Sequence, residues 1–110
     1  MVAAAVRRFD IYLVNLDPTV GSELQKRRPC AVVSPDEMNR NIRTLIIAPM
    51  TTRGNAYPTR VDCEFGGRQG RIVLDQLRAV DRQRLVRRIG RLDESAQNAV
   101  LTALQRMFAR

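Results

Sequence analysis

The sequence predicts a mainly β fold: a small barrel of short strands with one C-terminal α-helix. Three observations carry this. Short apolar or alternating runs recur along the chain and are separated by clusters of Pro, Gly, Asn and Asp. A helical apolar period occurs only in the last stretch, from Asp93 onward. Strands and helices do not alternate, so a parallel α/β sheet is ruled out. At 110 residues, the chain from 1 to 110 makes a single domain with one core. A core that small is usefully extended by a second copy, so a homodimer is an expectation of size alone.

Taken in order, residues 9–16 (FDIYLVNL) form a β-rich run ending at the turn Asp17-Pro18-Thr19, and a polar stretch follows through Arg28. Proline is tolerated at the start of a strand and not at its centre, so Pro29 should open a strand over 30–34, with a short helical turn from Pro35-Asp36. Residues 44–48 (TLIIA) read as a strand buried on both faces, broken by Pro49 and a polar loop. From Arg60 to Phe65 the pattern alternates, with Val61, Cys63 and Phe65 on one face. Gly66-Gly67 then turns the chain to pair with Arg71–Leu74. Leu77–Val80 and Val86–Leu92 are two further short strands. Asp93 is a helix N-cap, and the helix runs to about Ala109, with Val100, Leu101, Leu104, Met107 and Phe108 on its apolar face.

Composition narrows the chemistry. There are 19 Lys and Arg against 11 Asp and Glu, a net charge of +8, which makes polyanions the natural partners. All but one of those cations are arginines, which suits phosphate gripping, although GC-rich coding gives the same excess. Histidine is absent. That excludes a histidine acid–base pair, a Ser-His-Asp triad and any His-bearing metal site. Cys30 and Cys63 lack the further ligands zinc needs and read as reduced thiols, so no cofactor or metal is expected. The start, MVAAAVRR, has its apolar run before the arginines, the reverse of a signal peptide, and no apolar run is long enough to span a membrane. A cytoplasmic protein without membrane contact is the expectation.

Two polar loops hold the reactive side chains: Glu23, Lys26, Arg27 and Arg28 in one, and Thr51, Thr52, Arg53, Asn55 and Tyr57 in the other. Both adjoin buried strands, where a barrel wall can hold side chains rigidly while their tips reach solvent. The densest charge lies elsewhere. Arg78 to Arg91 contains six arginines and one acid, Asp81. Such a run is more often a solvated strand face than a phosphate track, and no aromatic residue interrupts it to stack a base.

In those loops the sequence resembles the MazF/PemK/Kid toxins of bacterial toxin–antitoxin pairs. The matching pieces, in order, are Asp10-Ile11-Tyr12-Leu13-Val14, Leu16-Asp17-Pro18-Thr19, Gly21-Ser22-Glu23, Arg28-Pro29, Val33-Ser34-Pro35, Pro49-Met50-Thr51-Thr52, Tyr57-Pro58, and Asp75-Gln76 before Arg78. Each piece is short; their common order and spacing over nearly the whole chain make the set specific. The resemblance implies an SH3-like barrel of the CcdB/MazF type and a homodimer. It further implies metal-independent, sequence-selective cleavage of single-stranded RNA, restrained by a cognate antitoxin whose acidic, disordered tail wraps the toxin.

Without histidine, such cleavage must remove a proton from the attacking 2′-hydroxyl, neutralise charge on phosphorus and protonate the leaving 5′-oxygen. Arg28 suits the charge: it is planar, permanently cationic and able to bridge two phosphoryl oxygens. The resemblance places Thr51 beside it at the catalytic centre, with Thr52 second. Outside that resemblance, a Thr-Thr pair after a strand more often caps a turn. Glu23 either positions Arg28 or serves as base, and an ordinary Glu titrating near ~4.3 is a weak base at neutral pH, which favours positioning. In the Kid branch an aspartate at the position of Asp75 is the proposed base, with an arginine two residues earlier as acid. Here that earlier position is Val73, which leaves the acid unassigned and brings the chain nearer the MazF branch. Asp75 also suits a plain turn role.

Arg53, Asn55 and Tyr57 are candidates for a phosphate, a base edge and a base face, with Gln76 beside Asp75 added to the RNA-holding set. Tyr12 reads as core. Ordinary alternatives are a solvated Arg53, a left-handed Asn55 after Gly54 and Tyr57 packed on Pro58. Two rival functions remain. A CcdB-like gyrase poison would need an aromatic helix tip including Trp, whereas the chain ends Gln105-Arg106-Met107-Phe108-Ala109-Arg110. A non-catalytic nucleic-acid-binding barrel would bind in a salt-sensitive way without turnover.

Overall fold

The computed structural model describes residues 5–18, 21, 23 and 26–110. Thr19 and Ser22 of the quoted motifs, and the first four residues of the N-terminal run, lie outside them. The β-rich runs become seven strands: β1 (Asp10–Asn15), β2 (Arg27–Val32), β3 (Thr44–Thr51), β4 (Arg60–Phe65), β5 (Arg68–Val73), β6 (Arg78–Asp81) and β7 (Leu85–Arg91). Every pairing is antiparallel, in the order β4-β5-β3-β2-β1-β7, and β6 pairs with β3. The sheet curls into a half-barrel. Phe65 on β4 lies on Gly90 of β7, where an added Cβ would sit 2.6 Å from the ring. Gly90 therefore leaves room for the Phe65 ring.

Alternation along the central strands divides the apolar residues between two clusters. Ile11, Ala31 and Ala48 belong to one, with Met50, Val61, Cys63 and Leu74; Tyr12, Cys30, Leu45 and Ile47 belong to the other, with Val14, Val32 and Val80. The unbroken run at 44–48 is thus buried on both faces, as its composition predicts.

Both prolines depart from expectation, which has Pro29 opening its strand and Pro49 breaking one. Pro29 lies inside β2 and Pro49 inside β3. The reason is where each missing N–H would point. Val33 N–H donates to Ile46 O, so odd-numbered residues of β2 face β3, and that pairing stops at Cys30 opposite Pro49. Ile46 N–H donates to the Ser34 hydroxyl on the β2 side, so Pro49 faces the far edge. There β6 ends opposite Ile47 and β5 begins opposite Met50, and Pro49 falls in the gap between them. Neither proline deletes a ladder bond.

The Gly66-Gly67 turn forms as expected, both residues having positive φ (60° and 76°) that a two-residue hairpin favours. Its return strand begins at Arg68, opposite Phe65, three residues before the predicted start. The predicted helical turn is α1 (Asp36–Asn41). Helix α2 (Glu94–Phe108) starts under Asp93, whose carboxylate accepts the Ala96 N–H at 2.8 Å. Ala96, Val100 and Ala103 are buried against the first cluster, with Leu101, Leu104 and Met107 packed beside them. Phe108, expected on this face, is instead 74% exposed, one residue past the last that packs.

Candidate active site

Two loop-bearing strand ends converge. Continuing the β2–β3 register two residues beyond Cys30–Pro49 sets Arg28 opposite Thr51, and opposite residues on antiparallel strands share a face. Thr51 ends β3 and pairs with Arg71 of β5. A Cβ at Gly70 would lie 3.1 Å from the Thr51 carbonyl oxygen, so glycine there lets β5 press against the end of β3. Arg28 and Thr51 line one cleft of about 250 Å³, with Thr52, Arg68 and Gln69 as further polar residues and Pro29, Met50, Cys63 and Phe65 as apolar ones. An apolar slot beside a guanidinium and a hydroxyl can hold a flat heterocycle with an attached phosphate.

The Thr51 hydroxyl oxygen accepts the Arg53 N–H at 3.1 Å, which leaves its proton to be donated. The loop before β2 is gathered at its base: Lys26 N–H donates to Asp17 Oδ1 at 2.8 Å, and Arg84 donates to the carbonyls of Asn15 and Asp17. Lys26 itself has φ +67°, so the chain enters β2 through a left-handed residue. Glu23 is exposed in this loop and is not among the residues lining the cleft.

In the second loop Thr52, Arg53, Asn55 and Tyr57 are exposed. The left-handed residue is Gly54, at φ +93°, and not Asn55. Tyr57 stands over the Arg60 guanidinium, 4.9 Å from ring centre to carbon, while Tyr12 is buried as expected.

Asp75 does not line the cleft. It sits in a single 3-10 turn (Leu74–Gln76) and receives Arg60 through two bonds, Nε to Oδ1 at 3.2 Å and Nη2 to Oδ2 at 3.3 Å, plus the Thr59 hydroxyl at 3.1 Å. Burial pushes its carboxyl pKa up, but the hydrogen bonds from Arg60, the turn backbone and Thr59, with the Arg60 charge, outweigh that and hold it below the usual value. Val73, at the position where the Kid branch has arginine, is buried directly across the ladder from Arg60. A guanidinium thus reaches the carboxylate from another strand. Gln76 is partly buried beside Asp75.

The arginine run is mostly turned to the protein itself. Arg78 donates to Leu16 O, Arg82 to the carbonyls of Asn39 and Ile42, and Arg88 and Arg91 pair with Asp10, which is 1% exposed. Both cysteines are free and buried, and burial pushes their thiols up, Cys30 to about 12 and Cys63 to about 11. No group of three or more His, Cys, Asp or Glu able to hold a metal occurs among the described residues. Nor is any described helix long and apolar enough to cross a membrane.

The sequence-level reading missed Phe65, Arg68 and Gln69 in the cleft, and Arg60 as the partner of Asp75. The Gly-Gly hairpin was the available signal for the first three, since it returns residues 68–70 beside β4.

The curled sheet under one terminal helix is the architecture of MazF-type barrels. The crystal structure of MazF (Form-I) from Deinococcus radiodurans aligns with a TM-score of 0.85 at 24% identity, covering 98% of this chain and 100% of that one. The MazE–MazF complex (Form-II) from the same organism aligns at 0.78 and 24%, covering 96% of each chain. The chain belongs to the family of PemK-like, MazF-like toxins of type II toxin–antitoxin systems, whose model matches residues 7–108. Among curated relatives, Endoribonuclease EndoA of Bacillus subtilis is 38% identical over 106 residues, 91% of each protein.

Proposed function

We propose that this chain is a metal-independent endoribonuclease that cuts single-stranded RNA at selected sequences, an mRNA-cleaving toxin neutralised by an acidic antitoxin. One observation carries the reading: Arg28 and Thr51, from different strands, line a single cleft large enough for a nucleotide's base. The related EndoA is named an endoribonuclease, and the MazE–MazF complex is a structural neighbour.

The chemistry follows from those two groups. The 2′-oxygen attacks the adjacent phosphorus in line, its proton passing to solvent, while the 5′-oxygen leaves and takes a proton. Products are a 2′,3′-cyclic phosphate and a 5′-hydroxyl. Arg28 offers parallel donors to the two non-bridging oxygens as they gain charge, and Thr51 adds its O–H. Pro29, Met50 and Phe65 wall the slot where a base can seat, and Arg68 and Gln69 can reach its edges or the next phosphate. Thr52, Arg53, Asn55 and Tyr57 extend the contact surface along the exposed loop. Glu23 serves to position the Arg28 loop. Water supplies the leaving-group proton, since a guanidinium is a donor that keeps its charge and not a proton source. The net charge of +8 suits an acidic antitoxin segment, and the active form is a homodimer in the cytoplasm.

Incubating the purified protein with a long unstructured RNA in EDTA should yield discrete fragments. Intact RNA would overturn the proposal, and tight salt-sensitive binding without fragments would support the non-catalytic barrel instead.

A further inference from the structure

The loop from Thr52 to Thr59 has few backbone bonds of its own. Within it and at its end, Arg53 N–H reaches the Thr51 hydroxyl and Arg60 N–H reaches Tyr57 O. At its end Thr59 is also tied down, its carbonyl accepting the Leu74 N–H at 3.0 Å and its hydroxyl donating to Asp75, while the carbonyls at its tip are held by two guanidinium groups. Arg71 Nη1 donates to Gly54 O at 2.9 Å, and Arg60 Nη1 donates to the next carbonyl, Asn55 O, at 3.5 Å. Each of these arginines is held by its own carboxylate, Arg71 by Asp62 at 3.1 Å and Arg60 by the forked bond to Asp75. Gly54 completes the fit, because a Cβ there would come within 2.9 Å of Arg60 Nη1.

We propose that Arg60 and Arg71, braced by Asp75 and Asp62, are positioning residues that hold the 52–59 loop in the shape that grips RNA. The Thr51 backbone is secured separately by the β3–β5 ladder, although its hydroxyl accepts the loop's Arg53 N–H, so the clamp acts on substrate contacts more than on the reacting phosphate. Asp75 then works through Arg60 and not as the base. Its lowered carboxyl pKa agrees, since a carboxylate made less basic accepts a proton less readily.

The inference rests on the RNA-cleaving reading, and the test separates the two. Cleavage by the wild-type protein in EDTA is the control, and its failure would take both down. With cleavage established, Arg60→Gln and Arg71→Gln should each raise KM about tenfold while kcat changes by less than about threefold, the expected scale for losing a charge-assisted hydrogen bond. Arg60→Lys keeps a charge beside Asp75 and the fold, but lacks the fork that also reaches Asn55 O, so it should show an intermediate KM. Asp75→Asn, which can still accept from Arg60, should raise KM modestly and leave the shape of the pH–rate profile unchanged. An unchanged KM in the arginine variants would overturn the proposal. So would a loss of about a hundredfold in kcat in Asp75→Asn with the acidic limb of the profile gone, the mark of a general base.

Discussion

Arginine does two different jobs in this molecule. Along β6, the following turn and β7, where the sequence is most basic, the guanidinium groups of Arg78, Arg82, Arg84, Arg88 and Arg91 bond to carbonyls of the chain or pair with Asp10 while staying partly exposed. At the cleft, where basic residues are more scattered, Arg28 and Arg68 line a concave surface and Arg53 stands exposed beside it. Charge density along a sequence therefore does not locate a binding site. A guanidinium bonded to one or two acceptors of its own chain ties the fold together, whereas Arg28 and Arg68 border a space that a bound molecule can fill.

The sharpest way to break this contrast is to remove one arginine of each kind, or its partner. Arg28→Ala should lower the cleavage rate by ~10²–10³ with the melting temperature nearly unchanged, the scale seen for loss of a preorganised charge donor. Equal losses of rate and of folded protein would mean that Arg28 is structural after all. On the other side, Asp10→Ala strands two arginines around a buried site. It should cost about 2–3 kcal/mol in urea unfolding, less than a fully buried pair because Arg88 and Arg91 are partly exposed, and leave kcat/KM of the remaining folded protein intact. Thr51→Val should reduce kcat about tenfold to a hundredfold through loss of one hydroxyl donor, read in single-turnover cleavage. Smaller still, Arg84→Gln should destabilise by about 1 kcal/mol because it unhooks the carbonyls at the base of the 17–26 loop.

A last prediction concerns pH. Both thiols are held neutral by burial, with folded pKa values raised to about 12 and about 11, whereas in the unfolded chain they ionise near the ordinary value of 9.0. Above that value the unfolded state binds fewer protons than the folded state, so stability falls as pH rises from about 9 towards 12. Chemical denaturation at pH 8 and 10 should show this decline, and Cys30→Ala should flatten it.

Much of the architecture was legible because it depends on local pattern: alternation at Arg60–Phe65, the Gly-Gly turn, the Asp93 cap and the doubly buried 44–48 run. What failed was the part set by neighbours. The pattern places Pro29 at a strand's start and Pro49 at a strand's end, because the sequence does not reveal which edge of a strand lacks a partner at a given residue. Phe108 has the helical period of its neighbours, but the period alone cannot say where the core stops. At the site, chemistry singles out Arg28 and the family resemblance singles out Thr51, and the structure sets both on one cleft. Phe65, Arg68 and the Arg60–Asp75 pair do not stand out in the sequence, because they reach their places only through β3–β5 and β4–β5 pairing.

The proposed cleavage needs a guanidinium and a hydroxyl working on phosphorus together. Its most direct test is mass analysis of the RNA ends produced in EDTA by the wild-type protein and by Arg28→Ala. The prediction is 2′,3′-cyclic phosphate and 5′-hydroxyl termini from the wild type and almost no new ends from the variant. Termini bearing 5′-phosphate, or equal cleavage by the variant, would contradict it.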